Sequence, residues 1–229
     1  MTLAGRIDAV REKIAEAARR AGRDPAEVQL VAVTKTVPAE VIAEAYAAGL
    51  RIFGENRVQE AAAKIPKVPG PTWHLIGHLQ RNKARKAVGL FSMIQSLDSL
   101  RLAETLDRLG RERGRPVETL VEVNLAAEPT KSGVSPRELP GLLDRLERAE
   151  GIRVRGLMAV PPFEEDPEAS RSWFRALRRL AEAERPRRGG PIELVHLSMG
   201  MSHDFEVAIE EGATIVRVGT AIFGPRPSP

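Results

Sequence analysis

The chain has no cysteine, and that absence removes disulfide frameworks, zinc–thiolate centres and thiol nucleophiles from consideration. Nowhere does an apolar stretch approach the roughly 18 residues that a membrane-spanning helix requires. The segment Met1 to Gly22 is charged throughout (Arg6, Asp8, Arg11, Glu12, Lys13), with apolar residues at helical spacing, unlike a secretory leader. A cytoplasmic protein without membrane attachment is expected. A strong excess of one charge is also missing. The 35 Lys and Arg against 31 Asp and Glu leave a net charge of +4, and the signs are interspersed along stretches such as Arg101 to Arg115, as on solvated helix faces. Only Arg185-Pro-Arg-Arg188 forms a basic cluster, beside Gly189-Gly190, so nucleic acid is not expected as a partner. Asn and Gln are few while Arg, Glu and Pro are many, a balance that suits a heat-adapted protein, because ion-pair networks gain value when hot.

What the sequence does contain is an alternation of strand-like and helix-like segments from end to end. Strand candidates are Gln29 to Thr34, Arg51 to Gly54, Trp73 to Gly77, Met93 to Ser96, Glu118 to Asn124, Val154 to Val160, Glu193 to Ser198 and Thr214 to Val218. Several are short continuous apolar runs, as strands covered on both faces are. Helical patterns lie between them: Pro38 to Ala48, Arg57 to Ile65, Leu79 to Val88, Ser99 to Arg113, Ser135 to Glu150, Pro167 to Glu184 and Phe205 to Glu211. A further helix, Leu3 to Ala21, precedes the first strand. Strict alternation argues for parallel pairing with right-handed crossovers. Eight such units in 229 residues favour an α/β fold of the compact (β/α)8 TIM-barrel type, a single domain over residues 1–229 with an additional N-terminal helix. Pro225, Pro227 and Pro229 leave almost no helix after the last strand, and the N-terminal helix is expected to cover that gap.

In such a barrel all strand C-termini open on one face, where functional groups collect. Lys35 follows the first strand, Glu55-Asn56 the second, His78 the third, Asn124 the fifth, Ser198 the seventh and Gly219-Thr220 the eighth. A lysine leaving a buried strand can be desolvated enough to attack a carbonyl as the neutral amine. On this segment alone, a solvated exit lysine is the commoner reading. Ser198-Met-Gly-Met-Ser202 and Gly219-Thr220 offer hydroxyls and small residues that let backbone N–H groups approach an anion, and barrels favour phosphate after strands seven and eight. An amine and a phosphate cradle on one face suggest pyridoxal 5'-phosphate, which carries an aldehyde and a phosphate. Arg217 shares a pleat face with Gly219 and can point inward, where it needs a partner; a salt bridge at the barrel edge is its other reading. His74 and His196 suit the core, His78 the rim and His203 a helix cap, and no His, Asp and Glu spacing marks a metal site. Glu55 is a candidate base or a partner for Arg57 or Lys83.

Six segments in order, Val31-Ala-Val-Thr-Lys35, Phe53-Gly-Glu-Asn-Arg-Val-Gln-Glu60, Trp73-His-Leu-Ile-Gly-His-Leu-Gln-Arg-Asn-Lys83, Leu157-Met-Ala-Val160, Leu197-Ser-Met-Gly-Met-Ser202 and Val216-Arg-Val-Gly-Thr-Ala-Ile-Phe-Gly224, resemble the pyridoxal phosphate homeostasis proteins. These are barrels related to the N-terminal domain of alanine racemase. The resemblance implies a Schiff base between the cofactor and Lys35, phosphate contacts from Ser198, Gly219 and Thr220, Arg217 facing the pyridine nitrogen, and Asn56 close by. It also implies a carrier that buffers the cofactor and delivers it to apo-enzymes in vitamin B6 and amino-acid homeostasis, without significant racemase activity; a monomer is expected. Arg217 supports this independently: a guanidinium offers only donors, so a ring nitrogen opposite it stays unprotonated and the ring is a weak electron sink. The competing class is an enzyme, either a cofactor-dependent amino-acid racemase or lyase working through Lys35, or a cofactor-free aldolase. A two-base racemase needs a second acid or base on the far face of the ring, and Tyr46, the single tyrosine, lies in the first helix after Lys35.

Overall fold

The structure, a computed structural model, describes residues 1–128 and 130–225. Eight parallel strands close in sequence order into a barrel: β1 (Gln29–Val33), β2 (Ile52–Glu55), β3 (Thr72–Leu75), β4 (Met93–Leu97), β5 (Val117–Glu122), β6 (Ile152–Met158), β7 (Ile192–Met201) and β8 (Ile215–Val218). The ring is sealed where β1 pairs β8, with Val31 beside Arg217. The helices are α1 (Leu3–Arg20), α2 (Ala39–Ala47), α3 (Val58–Lys64), α4 (Ala84–Leu90), α5 (Leu100–Glu112), α6 (Leu139–Leu146), α7 (Arg171–Glu184), α8 (Phe205–Glu210) and α9 (Thr220–Phe223).

Alternation along each strand divides the apolar residues between two layers. Ala32, Phe53, Trp73, Leu75, Val216 and Val218 point outward into the large core shared with the helices. Val31, Leu120, Met158 and Ile215 point inward and fill the barrel's lower interior with Ile52, Ile76 and Met93. Each of the eight expected strands is present. The helices differ more: the fourth helical pattern begins as a 3-10 turn, Arg81–Lys83, before α4, and α7 is preceded by another, Pro167–Ser170. Pro136 and Pro140 delay the start of the pattern at 135–150, and α6 spans eight residues. Pro227 and Pro229, invoked to stop the chain after β8, lie outside the described residues; within them the four-residue α9 follows β8 directly.

Helix α1 packs against α8 and α9 and so covers the seam that the short α9 leaves open. Arg6 Nε donates to the Ile222 carbonyl at 2.5 Å, tying the first helix to the last. Ion pairs add to this seam. Glu206 receives Lys13 and Arg20, Glu210 receives Arg20 and Arg171, and the nearly buried Glu211 receives Arg171, Arg175 and Arg178. Such a network is where charge pairs contribute most, since several partners share one desolvation cost.

The β6–β7 pair contains the sharpest constraint. Between Val154 and Gly156 β6 advances two positions while β7 advances four, from Ile192 to His196, and the excess bulges out at Leu194, whose φ is 49°. Gly156 is the point of closest approach: a Cβ there would sit 1.9 Å from the backbone oxygen of His196. Gly156→Ala should therefore force the strands apart and cost about 3 kcal/mol, lowering Tm by roughly 6–12 °C in a chain of this size. Thermal unfolding by circular dichroism checks this; a shift under about 2 °C would mean that the bulge absorbs the methyl freely.

Candidate functional site

The backbone on both sides of Lys35 is fixed from behind the barrel. Glu55 ends β2 pointing outward, fully buried, and accepts from Thr34 Oγ1 at 2.6 Å and from Lys64 Nζ at 2.9 Å. Lys64 also donates to the Thr34 carbonyl at 2.7 Å and to Glu60 at 2.5 Å, and Glu60 accepts the Thr36 N–H at 2.6 Å. Thr36 is held at φ 65°, a left-handed conformation that costs a β-branched residue free energy and persists only where neighbours enforce it. Burial raises the Glu55 pKa, with the bonds from Thr34 and Lys64 opposing it. The sequence offers Glu55 as a base or as a partner of Arg57 or Lys83; its ion-pair partner is Lys64, because β2 ends with Glu55 facing α3.

Lys35 opens into a cavity of about 340 Å³ at the C-terminal mouth of the barrel, together with Asn56, Arg217, Gly219 and Thr220. Five of the six sequence-selected residues thus meet in one place. The sixth, Ser198, does not line it. Its side chain is fully buried one layer down, where Oγ donates to Gln95 Oε1 at 2.6 Å and accepts from Arg217 Nη1 at 2.5 Å. The hydroxyl at the mouth is Ser202, whose Oγ accepts the N–H groups of Gly219 and Ala221 at 3.1 and 3.2 Å and so shapes the loop after β8. The walls include residues that the sequence reading missed: Val33, Ile76, Val160, Phe163, Met201 and His203. Phe163 stacks on His203 at 5.4 Å between ring centroids, and His203 Nε2 lies 2.9 Å from the Glu165 carbonyl. Val33 and Ile76 follow from strand parity and Met201 from the extension of β7 beyond Ser198, whereas Val160, Phe163 and His203 sit in loops whose course no periodicity reveals.

Beneath the cavity Arg217 donates to Ser198 and, through Nη2, to the Ala159 carbonyl at 2.8 Å. The polar chain continues from Ser198 to Gln95 and from Gln95 Nε2 to His74 Nδ1 at 2.9 Å. Burial pushes His74 down to about 4, so the ring is neutral near pH 7 and can accept at Nδ1. Every link then has one donor and one acceptor, running from Arg217 to His74. Burial also lowers Arg217 to about 10, against the pull of Glu122 and Asp204, which still leaves it charged at neutral pH.

Glu122 ends β5 half-buried, and burial, reinforced by Asp98, pushes its carboxyl up to about 7 against the pull of Arg217 and His78. The folded state thus keeps a proton that the unfolded chain releases above its ordinary value of 4.5. Where the folded state binds more protons, stability falls as pH rises, here between about 4.5 and 7. Glu122→Gln should match the wild type at pH 4 and exceed it at pH 8 by on the order of 2 to 3 kcal/mol in urea unfolding. A stability difference that stays constant from pH 4 to 8 would show that this carboxyl titrates normally.

Fold and cavity together define a (β/α)8 barrel whose mouth brings a lysine amine, a buried guanidinium and a backbone loop after the last strand to one small apolar-walled space. Residues 6–227 match the family model of the alanine racemase N-terminal domain. The pyridoxal phosphate homeostasis protein of Aquifex aeolicus is 44% identical over 228 residues, covering 99% of each chain, and that of Escherichia coli K12 is 41% identical over 229 residues, covering 98% of this chain and 97% of its own. The chain belongs to the pyridoxal phosphate homeostasis protein family. A solved structure of PipY from Synechococcus elongatus with pyridoxal phosphate bound superposes with a TM-score of 0.85 at 42% identity, covering 97% of this chain and all of that one. Alanine racemase from Corynebacterium glutamicum shares the fold at a TM-score of 0.73 and 20% identity, with this chain spanning 62% of it.

Proposed function

We propose that this chain binds pyridoxal 5'-phosphate through Lys35 and holds it for delivery to apo-enzymes in the cytoplasm, as a monomer and without significant turnover of its own. The observation that carries the reading is the meeting of Lys35, Arg217 and the Gly219-Thr220 loop in one cavity of about 340 Å³. The residues fit the group. Apolar walls from Val33, Ile76 and Met201 suit a flat ring, a primary amine suits its aldehyde, and the Ser202-braced loop with Thr220 suits its phosphate. When bound, the cofactor supplies an aldehyde that condenses with amines and a ring whose electron demand depends on its nitrogen.

This chain's own residues determine how much of that demand is used. Arg217 can only donate, and its hold on Ser198 and Ala159 fixes the guanidinium beneath the cavity, so it opposes protonation of a ring nitrogen facing it. Tyr46 takes no part in the cavity: it lies on α2 outside the barrel, with Arg51 stacked 4.9 Å from its ring centroid. His203 is the one imidazole lining the cavity, on the rim, and it gives the racemase or lyase alternative its specific candidate acid or base.

Borohydride reduction of the protein incubated with pyridoxal phosphate, followed by peptide mapping, should place the label on Lys35, and Lys35→Ala should abolish the visible absorbance. Label found only on Lys64, Lys83 or Lys131 would overturn the assignment. Alpha-proton exchange of L- and D-alanine in deuterated water should proceed no faster than with free cofactor at equal concentration. Exchange at on the order of 1 to 1000 per second, lost in His203→Ala, would establish the enzymatic alternative instead.

A further inference from the structure

We propose that the cavity between the β2–α3 and β3–α4 loops is a second ligand site, built for a phosphomonoester of a small polar metabolite and distinct from the lysine cavity. The space measures about 570 Å³, and its polar lining is Asn56, Arg57, Gln59, His78, Gln80 and Lys83. Both chain segments that form it stand out in the sequence, yet the lysine cavity uses only Asn56 and Ile76 from them. This inference does not depend on the function proposed above.

Charge is the first argument. Arg57 and Lys83 face the cavity and no carboxylate lines it. The nearby acids are committed elsewhere. Glu60, which feels Arg57, is bonded to Lys64 and the Thr36 N–H; Glu55 is bonded to Thr34 and Lys64; and Asp98 holds His78 Nδ1 at 2.7 Å. Among the described residues neither Arg57 nor Lys83 forms an ion pair, although both face the cavity. Two cations in a concave wall without counter-charge concentrate the local field and attract an anion. A guanidinium fork beside an ammonium matches phosphate oxygens in geometry and charge.

The amides specify more than charge. Asn56, Gln59 and Gln80 offer both donors and acceptors, which a bare inorganic ion does not need and which hydroxyls or ring heteroatoms of a phosphorylated metabolite would use. The cavity's size lies within the range of small-molecule sites. Its walls are also fixed relative to each other. Gly77 packs so closely on the neighbouring loop that a Cβ would lie 2.6 Å from the Asn56 backbone oxygen, and Ser132 and Asp98 both anchor the His78 ring. Asn56 forms part of both cavities, so the two ligands would lie on either side of one side chain.

Inorganic phosphate is the direct probe, titrated into 15N-labelled protein stripped of endogenous ligand and followed by amide chemical shifts. Two groups of shifts are expected: one at Ser202, Gly219 and Thr220, and a second, independently saturating, at the side-chain amides of Asn56, Gln59 and Gln80. In Arg57→Gln with Lys83→Gln the second group should lose affinity by about tenfold or more while the first stays within about twofold, since each charge-assisted contact contributes roughly 1.5 kcal/mol or more. Shifts confined to the first group, shifts near Asn56 that never saturate, or a second group indifferent to the double substitution would overturn the proposal. Loss of the first group with retention of the second would instead count against the cofactor reading and leave this site standing.

Discussion

A guanidinium enclosed in a barrel is the constraint on which the rest of this structure depends. Arg217 is almost completely buried, and an ion there costs several kcal/mol unless its donors are met. Nη2 donates to the Ala159 carbonyl, and Nη1 starts a chain that crosses the interior from β8 through β7 and β4 to β3. Its polarity allows one assignment. Arg217 can only donate, so Ser198 must donate onward to Gln95, and Gln95 must present its amide N–H to a His74 that accepts. A protonated His74 would place two donors face to face, and burial prevents that protonation near neutral pH. One buried charge therefore dictates the tautomer of a histidine on the far side of the barrel.

The same layer separates two interiors. Below it Val31, Leu120, Met158 and Ile215 pack as an ordinary apolar plug; above it the barrel opens into the lysine cavity. Lys35 belongs to that upper space because β1 ends at Val33 and the next three residues are held by groups outside the barrel. Glu55, Glu60 and Lys64 together hold the Thr34 side chain, the Thr34 carbonyl and the Thr36 N–H. Arg217 is fixed from inside and Lys35 from outside, so their relative placement does not rest on flexible loops.

Much of this was legible in the sequence because barrel geometry converts strand ends into neighbours. Lys35, Asn56, Arg217, Gly219 and Thr220 come from three strands far apart in the chain, and the expectation that these strands share one face was enough to gather them. Ser198 shows where that reasoning stops. Counting from the apolar run ended β7 at Ser198, but the strand continues to Met201, and its register against β8 slips between Ser198, level with Ile215, and Met201, level with Arg217. Ser198 therefore falls a layer below the mouth, and Ser202 takes the place beside Gly219. A slip of one residue in pairing is set by the partner strand, which no single-segment pattern encodes. Phe163 and His203 escaped for a related reason, since their position depends on two loops that meet only in the folded barrel, and Val160, expected as the end of the sixth strand, lies two residues past β6.

The closure of the barrel links the N-terminal helix to the cradle. Among the described residues the short α9 alone follows β8, and it leaves the β8–β1 seam uncovered by its own unit. Helix α1 covers it, with Leu3, Ile7, Val10 and Ile14 buried and Arg6 donating to Ile222 in α9. Ala221, whose N–H is held by Ser202, lies one residue before Ile222, so the loop that would meet a phosphate is bounded by Ser202 on one side and by α1 on the other. The ion pairs from Lys13 and Arg20 to α8 anchor the same helix from its outer face. Stability at this seam and the shape of the Gly219-Thr220 loop are thus one property: loosening α1 would release α9, and α9 begins at Thr220.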